Sequence, residues 1–545
     1  MWCWEFHFTR SMMLRENAFA GSISRPACIT LAMTLTALSL LTGACAASGE
    51  PVQNTPADAL IHTHLPSLDA PGLLDSGFLA SGLPASAGQG GLRFFAMASD
   101  GGSADPDSLK PPEFYHAKGS RFWRTTGEMV LFNLIMTLYG KYIMDPEDHG
   151  FDVSFDTIRE NLKNGYDWDD NSFSANNFRH PYQGSLYFGG ARADGYDFYQ
   201  SSMFAFAGSW LFEYTGEAHH PSVNDWINTA VGGITLGEGL YRLSDMVIDN
   251  TATGSGRTWR ELGGMAISPM RGLNRMITGE AFEVHANPHD RMPGFFGGSF
   301  KAGMRTLGED NLWTSAASKP FIAFDVVYDD PFEVTRGRPF DYFTFGMRVN
   351  FNNRPHGVGE IVSEGMIYGA DINRTETSRH MLGAFLHFDY IDNEAYTYGG
   401  QSLSASYLSK FRASERFRAL TALHLQGIML GAAKSDYFNL SGREYDYGPG
   451  LGYKIGAGFW LDRWEFLSLW HQGHWIHSIN GNKADHWVNF TRVKIEFPIR
   501  SFLGGGIDYV LYLADRDYED YPDVSSRAPE IRLYFMWKDT IWAQD

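Results

Sequence analysis

The residues best suited to chemistry are acidic side chains in the middle of the chain. Glu213 and Glu217 are four residues apart, so on a helix they share one face. Asp225 and Asn228 are three residues apart on the next predicted helix, and the short connection makes the two helices antiparallel neighbours. The spacing therefore predicts that three carboxylates converge. Such a cluster is costly unless a cation, a proton or an arginine joins the acids.

Three roles are open for these acids: a structural network, a site for a ligand or lipid head group, and a metal or acid/base centre. We expect the structural network, because Arg192, Arg242, Arg271 and Arg275 are available as partners. The segment Glu217-Ala-His219-His220 contains one Glu-x-x-His, the spacing of carboxylate-bridged metal sites in helical bundles. A di-metal site needs a second such motif, which the sequence lacks. We therefore predict no metal and no cofactor.

His180 offers a second route to catalysis. In a His-Pro pair at the start of a loop, the imidazole usually bonds to a backbone carbonyl, and we expect this structural role. The alternative pairs His180 with Ser185 or with an acid for acyl transfer, in which a histidine acts as the base. The G-x-S-x-G sequence that surrounds many nucleophilic serines does not occur in the chain.

The polar residues of this region follow one another in short motifs. In order these are His180-Pro181-Tyr182-x-Gly184, Arg192-x-x-Gly195, Glu213-Tyr214-x-x-Glu217, Pro221-Ser222-x-Asn224-Asp225 and Gly232-Gly233-x-x-x-Gly237-Glu238. In these motifs the chain resembles the domain of unknown function 3943, found in proteins of Gram-negative envelopes. The resemblance covers residues 170–290. It implies an envelope location and supplies no established activity.

A weaker resemblance concerns one hairpin. The segment from Glu213 to Gly233 is similar to a hairpin of VanZ-like proteins, whose chemistry is also unsettled. Taken together, the motifs define a ligand-binding or structural polar cluster. Its members are His180, Arg192, Glu213, Glu217, Ser222, Asn224, Asp225, Asn228 and Glu238.

Four predicted helices must position this cluster. Apolar spacing places them at Met129–Tyr142, Asp197–Tyr214, Ser222–Ile248 and Thr258–Ile277. Ser222 is a suitable N-cap for the third helix, with Asp225 three residues further on. The long uncharged faces indicate helices buried against each other or against the rest of the protein. We expect a bundle beside or beneath the C-terminal part of the chain.

From residue 294 onward the hydrophobic period changes to two. Leu451, Tyr453 and Ile455 alternate with Gly452 and Lys454, and similar segments recur about twelve times up to residue 538. A strand that crosses a bilayer needs about 9–11 residues, and bacterial barrels have even strand numbers. A soluble β-sandwich or lipocalin-like barrel would alternate too. The charged residues on the polar faces favour a wet lumen over a second packed sheet.

These patterns predict a mainly β protein with an α-helical segment. The fold is an antiparallel outer-membrane β-barrel of about twelve strands, preceded by a helical domain. The predicted divisions are a signal peptide at 1–46, a flexible linker at 47–115, a helical domain at 116–290 and a transmembrane barrel at 291–540. We expect the helical domain to lie in the periplasm.

The N-terminus indicates export. An apolar stretch from Cys28 to Leu41 precedes Ala44-Cys45-Ala46, which fits a cleavage site, with lipidation at Cys45 as the alternative. No cysteine follows Cys45, which excludes disulfides and cysteine nucleophiles from the rest of the chain. A net charge of −19 argues against nucleic-acid binding. The expected partners are outer-membrane lipid, the export and barrel-assembly machineries and an unidentified small-molecule or lipid ligand.

Two functions follow, and the sequence does not decide whether the protein is an enzyme. In the first, the barrel anchors the helical domain at the membrane and binds or passes a small polar or lipid ligand. In the second, the protein is an envelope hydrolase that acts on lipid or cell wall through the region of His180, Glu213, Glu217 and Asp225.

Overall fold

The structure is a computed structural model, and most of the chain after residue 120 is described. The described residues are 121–144, 150–288, 291–308, 318–333, 338–351, 357–438, 442–462 and 464–542. The predicted signal peptide and linker lie outside them and stay predictions.

Helices occupy the first part of the described chain, as predicted. They are α1 Arg121–Tyr139, α2 Phe155–Asn164, α3 His180–Ala193, α4 Phe198–Thr215, α5 Val223–Ile227, α6 Gly233–Val247, α7 Gly254–Ile267 and α8 Pro269–Thr278. Shorter π-helical turns lie at Gly140–Met144, Ala175–Arg179 and Asn228–Gly232, and a 3₁₀ turn lies at Glu280–Phe282. We refer to α1–α8 with these turns as the helical layer.

The helices differ from the sequence prediction in several respects. Helix α2 was not predicted, and α1 begins at Arg121 instead of Met129. Two further differences involve prolines. His180 begins helix α3 and does not begin a loop, because Pro181 sits in the first helical turn, where its missing N–H costs no hydrogen bond. The predicted helix Thr258–Ile277 is divided at Ser268, where Pro269 begins α8. Both differences arise from prolines that start helices instead of interrupting them.

Twelve antiparallel strands of the described chain form a closed barrel, which confirms the predicted fold class. They are β1 Phe295–Leu307, β2 Ser318–Tyr328, β3 Phe343–Asn350, β4 Val358–Arg374, β5 Ser378–Asp392, β6 Thr397–Arg412, β7 Phe417–Lys434, β8 Tyr445–Leu461, β9 Trp464–His477, β10 Ala484–Pro498, β11 Leu503–Tyr518 and β12 Val524–Trp542. The barrel closes where β1 pairs with β12, from Phe295 opposite Trp542 to Leu307 opposite Glu530. Closure leaves no unpaired sheet edge.

The two ends of the barrel differ in their connections. At the end where β1 begins and β12 finishes, which we call the proximal end, short connections span 375–377, 413–416 and 499–502. The longer connection 329–342 between β2 and β3 also lies at this end, whereas 435–444 between β7 and β8 lies at the opposite, distal end.

Ion pairs between strands that are not neighbours identify the lumen. Arg492 of β10 bonds to Glu360 of β4 at 2.7 Å, and Lys454 of β8 bonds to Asp389 of β5 at 2.8 Å. Such strands meet only across the interior, so these side chains point inward. Successive side chains alternate between the two faces. Ile361 and Tyr390, which follow Glu360 and Asp389 in sequence, therefore point outward.

The distal half of the lumen is filled by a buried cluster that we call the lumen core. Tyr396 packs against Tyr512 with ring centroids 5.0 Å apart and against Phe490 at 6.4 Å. The members of the lumen core come from opposite sides of the barrel, so the lumen core crosses the interior. They are Ile391, Tyr396, Tyr398, Ala433, Ile476, Val488, Phe490, Val510, Tyr512, Ala514 and Ala528.

The helical layer packs on the outer face of the barrel wall. Leu236 of α6 forms one buried cluster with the outward-facing Ile361, Phe388 and Tyr390. Further along the wall, Phe198, Ile234 and Phe188 pack with Tyr328, Phe340 and Phe343. The layer therefore lies beside the strands, which is one of the two placements that the sequence left open, and it does not enter the lumen.

Polar contacts fix the position of the layer on this wall. The hydroxyl of Tyr447 accepts hydrogen bonds from the amides of Asn177 at 3.3 Å and Asn228 at 3.2 Å. Tyr445 accepts from Asn176 at 2.9 Å. Both tyrosines flank the inward-facing Asp446, which contacts His486, so they point outward. We call these contacts the tyrosine seam.

Within the layer, α3 and α6 pack backbone against backbone. A Cβ atom added at Gly184 would lie 1.7 Å from the carbonyl oxygen of Thr229, and one at Gly233 would lie 2.4 Å from the carbonyl carbon of Gly184. Only glycine allows this approach, which sets the distance between the segments that carry the candidate site.

We predict that Gly184→Ala separates α3 from α6 and lowers the free energy of unfolding of the helical layer by about 1–3 kcal/mol. Gly127→Ala in α1 is the control, because an added Cβ there meets no atom within 4 Å. In a helix interior that change is expected to stabilise by about 1 kcal/mol. Urea unfolding in detergent, followed by protease susceptibility of the helical layer, measures both. Equal stability of the two variants would contradict the close packing.

Candidate functional site

Three of the predicted residues converge at a buried point of the helical layer. His180 begins α3, Glu213 lies in the last turn of α4 and Asp225 lies in α5. One nitrogen or oxygen atom from each lies within 4.8 Å of the others, and Nε2 of His180 is 3.5 Å from Oδ1 of Asp225. All three residues are buried. We call them the triad cluster.

Two π-helical turns place the histidine side of the cluster. Ala175–Arg179 leads directly into His180, and Asn228–Gly232 carries Thr229. The Nδ1 atom of His180 lies 3.1 Å from the hydroxyl oxygen of Thr229, so this contact orients the ring and leaves Nε2 toward Asp225. π-Helical turns within helices frequently occur at functional sites.

The connection between α4 and α5 places the two acids. Ser222 caps α5 as its spacing predicts, because its hydroxyl accepts from the backbone N–H of Asp225 at 3.0 Å. The backbone N–H of Ser222 donates to Glu213 at 2.8 Å. The side-chain amide of Asn224 donates to Asp225 at 3.0 Å. One short turn thus orients both carboxylates.

The electrostatics of the cluster disfavour charge. Burial raises the pKa of Glu213 well above its ordinary value, and the neighbouring Asp225 and Glu217 raise it further. Burial, followed by Asp169, raises the pKa of Asp225. Burial lowers the pKa of His180 to about 4. The acids therefore gain from a proton or a cation, while the imidazole is neutral at physiological pH.

The arginines expected to neutralise these acids are bound elsewhere, so the predicted pairing is wrong. Arg192 and Arg242 both bond to Glu238, at 2.7 and 2.9 Å. Arg271 pairs with an aspartate of α6, and Arg275 pairs with glutamates of α7 and the 3₁₀ turn. Within the described residues, no lysine or arginine lies within salt-bridge distance of the triad cluster. The arginines bind acids that the sequence analysis did not assign to them.

Two further site predictions also differ from the structure. Helix α4 ends at Thr215, so Glu217 lies past its end and is only half-buried, while His220 is exposed. The hydroxyl of Ser185 donates to the carbonyl of Tyr182 at 2.6 Å and is not paired with His180. The hydroxyl that contacts His180 belongs to Thr229.

The other predicted residues form the surroundings of the cluster. Arg192 and Glu238 belong to a separate buried ion pair between α3 and α6. Asn228 extends from the second π-helical turn to the barrel, where its amide reaches Tyr447. Thr229 and Tyr447 were absent from the predicted set. The Asp225-x-x-Asn228-Thr229 run could have drawn attention to Thr229, whereas no local signal marks Tyr447.

Comparison with known proteins supports the assignment of this region. Residues 165–270 match the profile of the domain of unknown function 3943 (DUF3943), which confirms the resemblance seen in the sequence. The match contains all three residues of the triad cluster. Among curated proteins, none matches the chain.

Solved structures similar to this chain include porins and channels. A NanC porin shares 11% identity with a TM-score of 0.24, and the alignment covers 43% of this chain and 98% of the porin. A KdgM porin shares 7% identity with a TM-score of 0.21, covering 44% and 98%. The outer membrane channel DcaP of Acinetobacter baumannii shares 9% identity with a TM-score of 0.21, covering 45% and 96%.

We predict that Glu213→Gln stabilises the protein in EDTA-containing buffer. A carboxyl whose pKa is raised in the fold makes stability fall as pH rises from about 4.3 toward the folded pKa. Glutamine keeps an acceptor for the Ser222 N–H. Because glutamine does not ionise, the variant should not lose stability in this way as the pH rises. At pH 8 the free energy of unfolding of the variant should exceed that of the wild type, and at pH 4 the gain should disappear.

Glu238→Gln is the matched control for this prediction. Burial alone would raise the pKa of Glu238, but Arg192 and Arg242 outweigh it and lower that pKa. Breaking this buried pair should cost roughly 3–5 kcal/mol at pH 8. Urea unfolding of both variants at the two pH values measures the difference. Destabilisation by Glu213→Gln equal to that of Glu238→Gln would show that Glu213 is a paired structural acid.

Proposed function

We propose that this protein resides in the outer membrane, where the barrel acts as a closed scaffold for the helical layer on its lipid-facing wall. The helical layer then carries the functional site, and the lumen binds a small polar ligand instead of conducting. The observation that carries this proposal is the combination of a filled lumen with helices outside it. Export through a cleaved leader and insertion by the barrel-assembly machinery belong to the same proposal.

The outer face of the barrel supports insertion in a bilayer. Leu425 and Leu451 on neighbouring strands are 59% and 62% exposed, and Leu403 and Phe535 are also exposed. In hydrocarbon, every backbone polar group needs a partner, and a closed barrel provides one for each strand. An exposed apolar belt on such a barrel matches lipid better than water.

The outward surface of the helical layer continues this apolar face. Met203 of α4 is 71% exposed, and Leu131 and Leu134 of α1 are also exposed. None of the described helices combines the length and the apolar character needed to cross a membrane. Because the layer rests on the outer side of the strands, we propose that it lies at the level of the membrane beside the barrel, not in the periplasm.

The lumen supports ligand binding from one side. Below the lumen core, a cavity of about 640 Å³ lies between the strands and reaches residues at the proximal end. Its wall mixes cations and anions, including Lys410, Arg418, Glu465 and Lys538. These charges suit a small polar ligand, and the lumen core separates the cavity from the distal end.

A second candidate function is an envelope hydrolase, favoured by one observation. His180 contacts a hydroxyl through Nδ1 and faces a carboxylate through Nε2. A nucleophile, a base and an orienting acid stand in this order in acyl-transfer enzymes. Thr229 would be the nucleophile. In this role Thr229→Ser should retain hydrolysis of lipid or cell wall, because serine retains a hydroxyl, whereas Thr229→Val should lose it. Loss of hydrolysis in both variants would count against Thr229 as the nucleophile.

We predict that purified protein in planar bilayers gives no current steps, because the lumen core blocks the interior. Triple replacement of Tyr396, Phe490 and Tyr512 by Ala should produce steps. The control replaces the outward-facing Leu403, Leu425 and Leu451 by Ala and should stay silent. Faster gel mobility before heating verifies that each sample contains a folded barrel. Regular steps from the wild-type protein would contradict a closed scaffold.

A further inference from the structure

We propose that His180, Glu213 and Asp225 bind one divalent transition-metal ion, of the class of Zn²⁺ or Mn²⁺, between α3, α4 and α5. The inference deepens the proposed function, because it assigns a ligand to the site in the helical layer. It rests on that function only for the location of the layer beside the barrel.

The arrangement of the three side chains matches the needs of such an ion. Oxygen and nitrogen ligands about 2.0–2.2 Å from a tetrahedral ion lie roughly 3.4 Å from each other. The His180 and Asp225 atoms are already 3.5 Å apart, and Glu213 completes a group within 4.8 Å. Three protein ligands leave a fourth position open for water or substrate.

The hydrogen bonds around the cluster resemble those that orient metal ligands. A ligating histidine usually bonds through its other nitrogen to a neighbouring group, which fixes the ring. Here Nδ1 of His180 contacts the Thr229 hydroxyl at 3.1 Å, while Nε2 faces the acids. Glu213 accepts a hydrogen bond from Ser222, and Asp225 accepts one from Asn224. Hydrogen bonds of this kind also hold ligating carboxylates in place.

The charge balance of the helical layer points to a missing cation at this place. Other buried acids of the layer have arginine partners, as Glu238 has in Arg192 and Arg242. Glu213 and Asp225 are buried, and among the described residues the neutral His180 lies within salt-bridge distance of Asp225, while no basic group lies within that distance of Glu213. A buried acid pair without a cation is costly. A divalent ion would balance both carboxylates.

A buried side-chain oxygen in the residue before Thr229 also lacks a partner among the described residues. The side-chain oxygen of Asn228 is inaccessible to solvent and has no hydrogen-bond partner, while its amide nitrogen bonds to Asn176 and Tyr447. Asn228 is three residues after Asp225 and directly precedes Thr229, so it belongs to the same helical turn as the cluster. A buried oxygen of this kind is free to accept a hydrogen bond from a water or from an additional ligand.

The donor set selects the class of ion. An imidazole nitrogen favours Zn²⁺, Fe²⁺ and related ions over Ca²⁺ and Mg²⁺, which prefer all-oxygen sites. Two carboxylates keep Mn²⁺ within the same class. The described part of the chain contributes no thiolate to the site, so a soft ion such as Cu⁺ does not fit.

The test uses the full-length protein purified in detergent, stripped with a chelator and dialysed against Zn²⁺ or Mn²⁺. Elemental analysis gives the bound ion per chain, and electron paramagnetic resonance detects bound Mn²⁺ independently. We expect one ion per chain. Glu213→Gln and Asp225→Asn should each weaken binding at least about 100-fold. Thr229→Val should weaken it by roughly 10–100-fold, as replacement of a group that orients a ligand does.

Glu128→Gln is the matched control, because Glu128 is a partly buried acid of the same layer that bonds to Asn274 outside the cluster. It should bind the ion as the wild type does. Gel mobility before heating shows whether each variant has assembled, so loss of binding is read only from folded protein. Regular current steps from the wild-type protein in planar bilayers would overturn the proposed function. The metal-binding measurements test only the triad cluster.

Three results would overturn the metal proposal. The first is a folded wild type that binds neither ion. The second is binding that Glu213→Gln and Asp225→Asn leave unchanged, which would place the ion elsewhere. The third is loss of binding in Glu128→Gln to the same extent as in the cluster variants. If Thr229→Val bound the metal ion as the wild type does but no longer hydrolysed lipid or cell wall, Thr229 would not orient a metal ligand. That result would support Thr229 as the nucleophile of the hydrolase alternative.

Discussion

The tyrosine seam is the contact on which the rest of the structure depends. Apolar packing alone would let the helical layer slide along an apolar wall, but the Tyr447 hydroxyl accepts from Asn177 and Asn228 and so selects one position. These two asparagines belong to the two π-helical turns. The first turn leads into His180 and the second carries Thr229, so the barrel wall sets the geometry of a site that it does not itself form.

The protein separates two polar environments by a single sheet. Inside the barrel, charges meet in complementary pairs such as Lys454 with Asp389, and the interior is filled where the lumen core crosses it. Outside, the helical layer buries Glu213 and Asp225, and no arginine in the described part of the chain pairs with them. Many charges on the lumen side pair across the barrel interior, whereas the two acids of the triad cluster have no lysine or arginine within salt-bridge distance among the described residues. This difference supports the proposal that the functional site lies in the helical layer.

Much of the fold could be predicted from the sequence, because strand alternation and helix spacing are local properties. The strand number, the inward-facing Lys454 and the cap at Ser222 follow from such patterns. The convergence of Glu213 with Asp225 followed from a short connection. The sequence did not predict the partners of the arginines, the hydroxyl that contacts His180 or the tyrosine seam. Each of these contacts joins segments that are distant in the sequence. The apolar face of β3 has the same pattern whether lipid or helix α6 covers it.

The central claim, that the helices rest on the outer wall of a closed barrel, is tested most directly by a disulfide across the seam. A Cβ atom on Gly399 would lie 3.0 Å from that of Asn177, close to the 3.5–4.5 Å typical of disulfides. With Cys3, Cys28 and Cys45 replaced by Ser, the pair Asn177→Cys and Gly399→Cys should cross-link in membranes under mild oxidation. The control pair, Asn177→Cys with Gly427→Cys, should not cross-link. Gly427 is an outward position, and a Cβ atom added there would approach only the Leu403 carbonyl, at 4.0 Å. Peptide mapping that finds no link between positions 177 and 399 in folded protein, or equal linkage in both pairs, would contradict this account.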